Sequence, residues 1–192
     1  MDSIRAFVAI ELSDEVKRAL KTLQGKLKSV SRAPVKWTDP EGTHLTLQFL
    51  GNIDSALLNK ISGGLETASH GIHPFRLRVS GLGVFPGPAR VRVVWVGLTG
   101  DLEILGRLQK NLESALEPLG FKPEARAFTP HLTLGRVRDD ARPDERQVLG
   151  QIIGETKETI DVIFDVGAVY LFRSQLQPTG AVYSKIATVE LK

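Results

Sequence analysis

The residues from Ile4 to Leu12 (IRAFVAIEL) form a nearly continuous apolar run, the pattern of a buried strand. Ser13 then stands as an N-cap, with Asp14 and Glu15 in the first helical turn. Val16, Leu20, Leu23, Leu27 and Val30 follow at helical spacing. A second helix is expected over 54–69, where Leu57, Leu58, Ile61, Leu65 and Ala68 share one face. A third runs from Asp101 to Glu117, with Leu105, Leu108, Leu112 and Leu116 ahead of Pro118, and a weaker fourth follows Pro143.

Strand patterns lie between these helices. Phe75, Leu77 and Val79 alternate with Arg76 and Arg78, and Val91, Val93 and Trp95 alternate with Arg90 and Arg92. The intervening Phe85-Pro86-Gly87-Pro88 is turn chemistry, so a hairpin is expected. Further strands are expected over 43–50, 128–137, 159–172 and 181–191. The mixture predicts an α+β fold with helices packed on antiparallel sheets.

Composition narrows the function classes. The chain has 192 residues, no cysteine and a net charge of +3. That length suits one domain or two small lobes sharing a core. The absence of cysteine excludes disulfides, thiolate metal sites and a cysteine nucleophile, and points to a cytoplasmic setting. No apolar run approaches the ~18 residues of a membrane span, and the opening MDSIRAFVAIELSDE does not read as a signal peptide. Neither G-x-S-x-G nor a phosphate-binding G-x-x-x-x-G-K-[ST] is present.

The chemistry concentrates in a repeated tetrapeptide. His-Leu-Thr-Leu stands at 44–47 and again at 131–134, 87 residues later (131 − 44), each time inside a strand pattern. Four histidines and twelve threonines in 192 residues predict about 0.25 His-x-Thr by chance. In a strand, His44 and Thr46 share one face and Leu45 and Leu47 the other; His131, Thr133, Leu132 and Leu134 repeat the arrangement. Two such strands facing each other across a cleft between similar lobes would gather two imidazoles and two hydroxyls. That set suits phosphodiester chemistry without a metal. A neutral imidazole takes a proton from water, a protonated one gives a proton to the leaving oxygen, and the hydroxyls bond the non-bridging oxygens.

On these motifs the chain resembles the two-histidine (2H) phosphoesterases, and within them the RNA 2′,3′-cyclic phosphodiesterase group, also called 2′-5′ RNA ligases. The stretches that carry the resemblance are WTDPEGTHLTLQFLG (37–51), VSGLGVFPGPARVRVVWVGL (79–98), FTPHLTLGR (128–136) and LFRSQLQPTGAVY (171–183). The resemblance implies a bilobed α+β domain over residues 1–192, with two pseudo-symmetric antiparallel sheets, helices outside and a central cleft. It also implies hydrolysis of RNA 2′,3′-cyclic phosphate ends to 2′-phosphates with no cofactor and no metal, and joining or cleavage of 2′-5′ linkages in vitro. The expected catalytic pair is His44 as acid and His131 as base, although sequence symmetry allows the exchange. Thr46 and Thr133 are expected to hold the phosphate. The expected partners are RNA ends or oligonucleotides with a 2′,3′-cyclic phosphate, with no membrane, for a monomeric protein.

Phe49 and Arg136 each lie five positions after their histidine. The resemblance implies a role for Arg136, read here as phosphate contact or guanidinium stacking, and its counterpart Phe49 is expected to stack on a nucleobase. An offset of five places both on the leucine face of a regular strand, so a bulge or strand end near Gly51 and Gly135 is needed to re-aim them. His70 and His73 read as a loop before Pro74 rather than a metal site. Arg76, Arg78, Arg90 and Arg92 read either as a basic stripe for an RNA backbone or as a solvated face. Trp37 reads as core. Two rivals stand beside the enzyme: a non-catalytic RNA-end binding module, and a phosphodiesterase for a small cyclic-phosphate nucleotide.

Overall fold

The computed structural model describes residues 3–124, 127–156, 160–177 and 180–192. The acidic residue at position 2, the expected strand start at 159 and Pro178-Thr179 of the last resembling stretch lie outside them. Nine strands are described: β1 (Ser3–Glu11), β2 (Val35–Trp37), β3 (His44–Asp54), β4 (Phe75–Phe85), β5 (Val93–Gly100), β6 (His131–Val137), β7 (Val162–Val166), β8 (Ala168–Gln177) and β9 (Gly180–Glu190). The helices are α1 (Asp14–Val30), α2 (Leu58–Ser69), α3 (Leu102–Leu116) and α4 (Pro143–Glu155).

The strands form two antiparallel sheets, ordered β3-β1-β8-β9 and β2-β6-β5-β4-β7. Helices α2 and α3 pack on each other, α2 against β8 and β9 and α3 against β3. On the second sheet, α1 lies against β7 and α4 against β4. Buried side chains from both sheets and all four helices make one continuous apolar cluster. No helix among the described residues is long and apolar enough to cross a membrane.

Local chemistry accounts for the helix termini. Ser13 Oγ accepts from the Val16 amide at 3.3 Å, and Asp14 and Glu15 occupy the first turn of α1. In α4, Pro143 fills the first turn and the Glu145 carboxylate accepts from the Arg142 amide at 2.8 Å. Arg146 donates to the carbonyls of Val91 at 2.8 Å and Arg138 at 2.7 Å, and Gly150 lets the helix meet the backbone of Pro88 where a Cβ would collide.

Two expectations are corrected and one open choice is narrowed. The apolar stretch over 159–172 is not one strand: β7 and β8 flank Gly167 and belong to different sheets. The alternation Val91, Val93, Trp95 is out of register, because β5 begins at Val93 and buries Val94, Val96 and Leu98, leaving Trp95 on the other face. Arg76, Arg78, Arg90 and Arg92 do not make a free basic stripe. Arg76 pairs with Asp165 of β7 at 2.9 Å and Arg78 with Asp161, just ahead of β7, at 2.6 Å, while Arg90 lies in a 3-10 turn.

Each histidine strand carries a β-bulge three residues after its histidine. Against β1, Thr46 pairs with Ala9 and Gln48 with Val8, leaving Leu47 as the extra residue. Against β5, Thr133 pairs with Trp95 and Gly135 with Val94, leaving Leu134 extra. Burial follows the same sequence in both strands: half-buried histidine and threonine, two buried residues, then exposed Phe49 or Arg136.

The second bulge is tied down by a buried amide that hydrophobic patterning hides. Gln24 sits on the apolar stripe of α1 and donates to the carbonyls of Leu134 at 2.9 Å and Thr38 at 2.8 Å. The Thr38 amide also reaches the Leu134 carbonyl at 2.9 Å, and its hydroxyl lies 2.8 Å from the Thr133 carbonyl. Gln24→Leu keeps the volume but strips a donor from the buried Leu134 carbonyl, and should cost about 1–2 kcal/mol. Denaturant titration should report it as a lower midpoint at constant slope; an unchanged midpoint would mean that the amide does not hold the bulge.

Candidate active site

Directly opposed residues of an antiparallel pair project to the same face of the sheet. On the open face of the first sheet this gives, in order, Glu11 with His44, Ala9 with Thr46, Phe7 with Phe49 and Arg5 with Asn52. On the second sheet it gives Gly97 with His131, Trp95 with Thr133 and Val93 with Arg136. The bulges thus bring Phe49 and Arg136 onto the histidine face, as their exposure requires. Helices lie behind both sheets and β3 is in contact with β6, so the two histidine strands are neighbours in the fold. All six expected site residues lie on these two faces. His70 and His73 lie elsewhere, exposed around the end of α2.

The two imidazoles are held alike. His44 Nδ1 lies 3.0 Å from the Gly42 carbonyl and His131 Nδ1 lies 2.8 Å from the Thr129 carbonyl, each two residues upstream. A carbonyl can only accept, so each Nδ1 carries its proton. Each Nε2 then remains to accept a proton when the ring is neutral or donate one when it is charged. Among the described residues, neither Nε2 has a hydrogen-bond partner.

Their surroundings differ. His44 stacks on Phe7 at 4.4 Å between ring centres, with Phe172 at 6.0 Å and the edge-on ring of Tyr183 at 5.0 Å. Burial in this aromatic setting pushes the His44 pKa below the ordinary histidine value, and the bond to the Gly42 carbonyl opposes that shift only in part. His131 meets Phe85 edge-on at 5.1 Å and Trp95 at 6.3 Å. Beside His44, Lys185 pairs with Glu11 at 2.7 Å and lies 4.5 Å from the centre of the Tyr170 ring. That pair neutralises the carboxylate opposite His44.

Sequence patterning had not singled out Phe7, Phe172, Tyr183, Phe85 or Trp95 as walls around the imidazoles. Phe7 falls in the buried-strand pattern of residues 4–12 and Phe172 at the end of the expected strand over 159–172, and the register of β1 against β3 and β8 places them beside His44. Trp37, read as core, is half-buried against the main cluster.

Comparison with known proteins finds the same internal duplication. The LigT-like phosphoesterase family model matches twice, over residues 10–95 and 97–183, so that each match holds one histidine strand. The offset between the matches, 97 − 10 = 87, equals the spacing of the two tetrapeptides. The chain is 36% identical to the RNA 2′,3′-cyclic phosphodiesterase of Methanothermobacter thermautotrophicus, over 98% of this chain and 99% of that protein. It is 32% identical to the protein of the same name from Archaeoglobus fulgidus, over 97% and 100%. A crystal structure from Thermus thermophilus superposes with a TM-score of 0.79 at 28% identity, covering 98% of both chains. E. coli LigT complexed with 3′-AMP also gives 0.79, at 22% identity over 99% of each chain, and shares the fold. Two matched histidine strands, two matches to one family model and full-length relatives together place this chain in the LigT-like phosphoesterase family.

Proposed function

We propose that the protein hydrolyses RNA 2′,3′-cyclic phosphate ends to 2′-phosphates by acid–base catalysis between His44 and His131. The observation that carries this reading is the matched pair of bulged strands, each presenting a hydroxyl beside an imidazole whose Nε2 is unpartnered. Relatives named RNA 2′,3′-cyclic phosphodiesterase that align over nearly the whole chain support the substrate class.

In this reading His131 Nε2 takes a proton from water as the water oxygen bonds to phosphorus. The bond from phosphorus to the 3′ oxygen breaks, and His44 Nε2 delivers a proton to that oxygen, leaving a 2′-phosphate and a 3′-hydroxyl. Proton exchange with solvent resets the pair. The lowered pKa of His44 makes its protonated form the stronger donor, and the anionic phosphate favours loading that proton on binding. Thr46 and Thr133 hydroxyls bond the non-bridging oxygens, where charge builds in the transition state. Arg136 adds a charged contact to the phosphate and Phe49 stacks on a base. One copy of the chain supplies both histidines, so a monomer acting as one bilobed domain suffices.

His44→Ala and His131→Ala should each lower kcat by ~10²–10⁴-fold on a nucleoside 2′,3′-cyclic phosphate. The residual activity of His44→Ala should lose the alkaline limb of the kcat/KM profile, and that of His131→Ala the acid limb. The exchanged pattern would reverse the roles, and a fully active folded variant would remove the couple. Because the chemistry uses no metal, EDTA should leave turnover unchanged; loss restored by added zinc or manganese would overturn it. In proton NMR the free protein's His44 ring should titrate below about 6.5, staying neutral where an ordinary histidine is half charged, and should move upward when inorganic phosphate is added. Titration at or above 6.5 without phosphate would contradict the burial argument.

A further inference from the structure

Beyond His44, a cavity of about 290 Å³ continues along the open face of the first sheet, bordered by Phe7, Phe49, Tyr183, Asn52, Ser174 and Arg5. Its floor is aromatic next to the imidazole and turns polar farther on. Arg5 and Asn52 face each other across β1 and β3, two β1 positions beyond Phe7 with Phe49, which is roughly 7 Å of strand. Thus the cavity starts at an imidazole, crosses two phenyl rings and ends at a guanidinium with an amide and a hydroxyl.

The charge of Arg5 has no other employment. Arg76 and Arg78 are paired with Asp165 and Asp161, and Lys185 with Glu11. Arg5 is exposed and makes no ion pair or hydrogen bond among the described residues, and no carboxylate borders the cavity. Guanidinium, amide and hydroxyl together offer several donors to a group rich in acceptors and negatively charged.

Resting on the cyclic-phosphodiesterase reading above, we infer that Arg5, with Asn52, forms a subsite for the 5′-phosphate of the terminal nucleotide, the phosphodiester joining it to the rest of the RNA. With the cyclic phosphate at His44 and the nucleoside over Phe7 and Phe49, that phosphodiester is the next anion along the chain. The subsite makes the enzyme select an RNA end over a free nucleoside cyclic phosphate. Phe49 and His44 act on the reacting nucleotide; Arg5 acts only on its upstream neighbour.

The test compares cytidine 2′,3′-cyclic phosphate, which lacks a 5′-phosphate, with a dinucleotide ending in the same cyclic phosphate. Wild-type protein should show the higher kcat/KM on the dinucleotide. Arg5→Ala should raise KM for the dinucleotide about tenfold, as for the loss of one charge-assisted contact, and leave both constants for the mononucleotide in place. Arg5→Lys should recover much of the loss, because a phosphate accepts a point charge. The salt dependence of the dinucleotide KM should fall by about 0.7 in log–log slope in Arg5→Ala, one phosphate contact on a single strand. An equal loss on both substrates, or none on either, would overturn the subsite. A wild-type protein that turns over neither substrate would remove the phosphodiesterase reading and the subsite with it.

Discussion

In a regular strand, a residue five positions after a histidine points to the opposite face, and the two histidine faces depend on breaking that rule twice. The extra residues Leu47 and Leu134 turn the chain by one position, so Phe49 and Arg136 join the face that already carries an imidazole and a hydroxyl. The leucines themselves stay in the core, so each bulge is anchored by apolar burial on one side while it re-aims chemistry on the other. At the second bulge, Gln24 and Thr38 supply the donors that the displaced Leu134 carbonyl would otherwise lack. A bulge without such donors would bury an unpaired carbonyl, at a cost of about 1–3 kcal/mol.

The pseudo-symmetry reaches beyond the two strands. Counting outward from the histidine strand, β3-β1-β8-β9 corresponds to β6-β5-β4-β7, with β2 added beyond β6. The strands do not sort by their place in the chain, however. β4 follows α2 in the first half yet pairs with β5, and β8 lies in the second half yet pairs with β1. Helices cross in the same way: α1 follows a strand of the first sheet and packs on the second, and α3 does the reverse. Each lobe is therefore completed by the other half, which is why one buried cluster serves both sheets.

Symmetry ends at the side chains around the two imidazoles. Aromatic rings enclose His44 on several sides and lower its pKa, while among the described residues His131 meets Phe85 edge-on and the more distant Trp95. Identical tetrapeptides thus meet unlike surroundings, because the rings come from other strands and not from the motif. The same asymmetry extends the first sheet's open face into a cavity that ends at Arg5.

The helices, the fold class and the pair of histidine strands were legible in the amino-acid order alone, because they rest on short-range periodicity and on a repeated tetrapeptide. Ser13 as cap, the stripe Val16, Leu20, Leu23 and Leu27, and the shared face of His44 and Thr46 need no knowledge of distant residues. Strand alternation cannot encode where a bulge falls, which sheet receives each half of the stretch around Gly167, or which cations are already paired; those emerge on folding. Leu47 looks like any inward leucine until its partner strand skips it, and Arg76 looks like a free cation until β7 brings Asp165 alongside. Gln24 is polar in an apolar stripe, a signal whose meaning depends on a carbonyl 110 residues away. These features are set by pairing between segments far apart in the chain, and pairing is a property of the assembled fold.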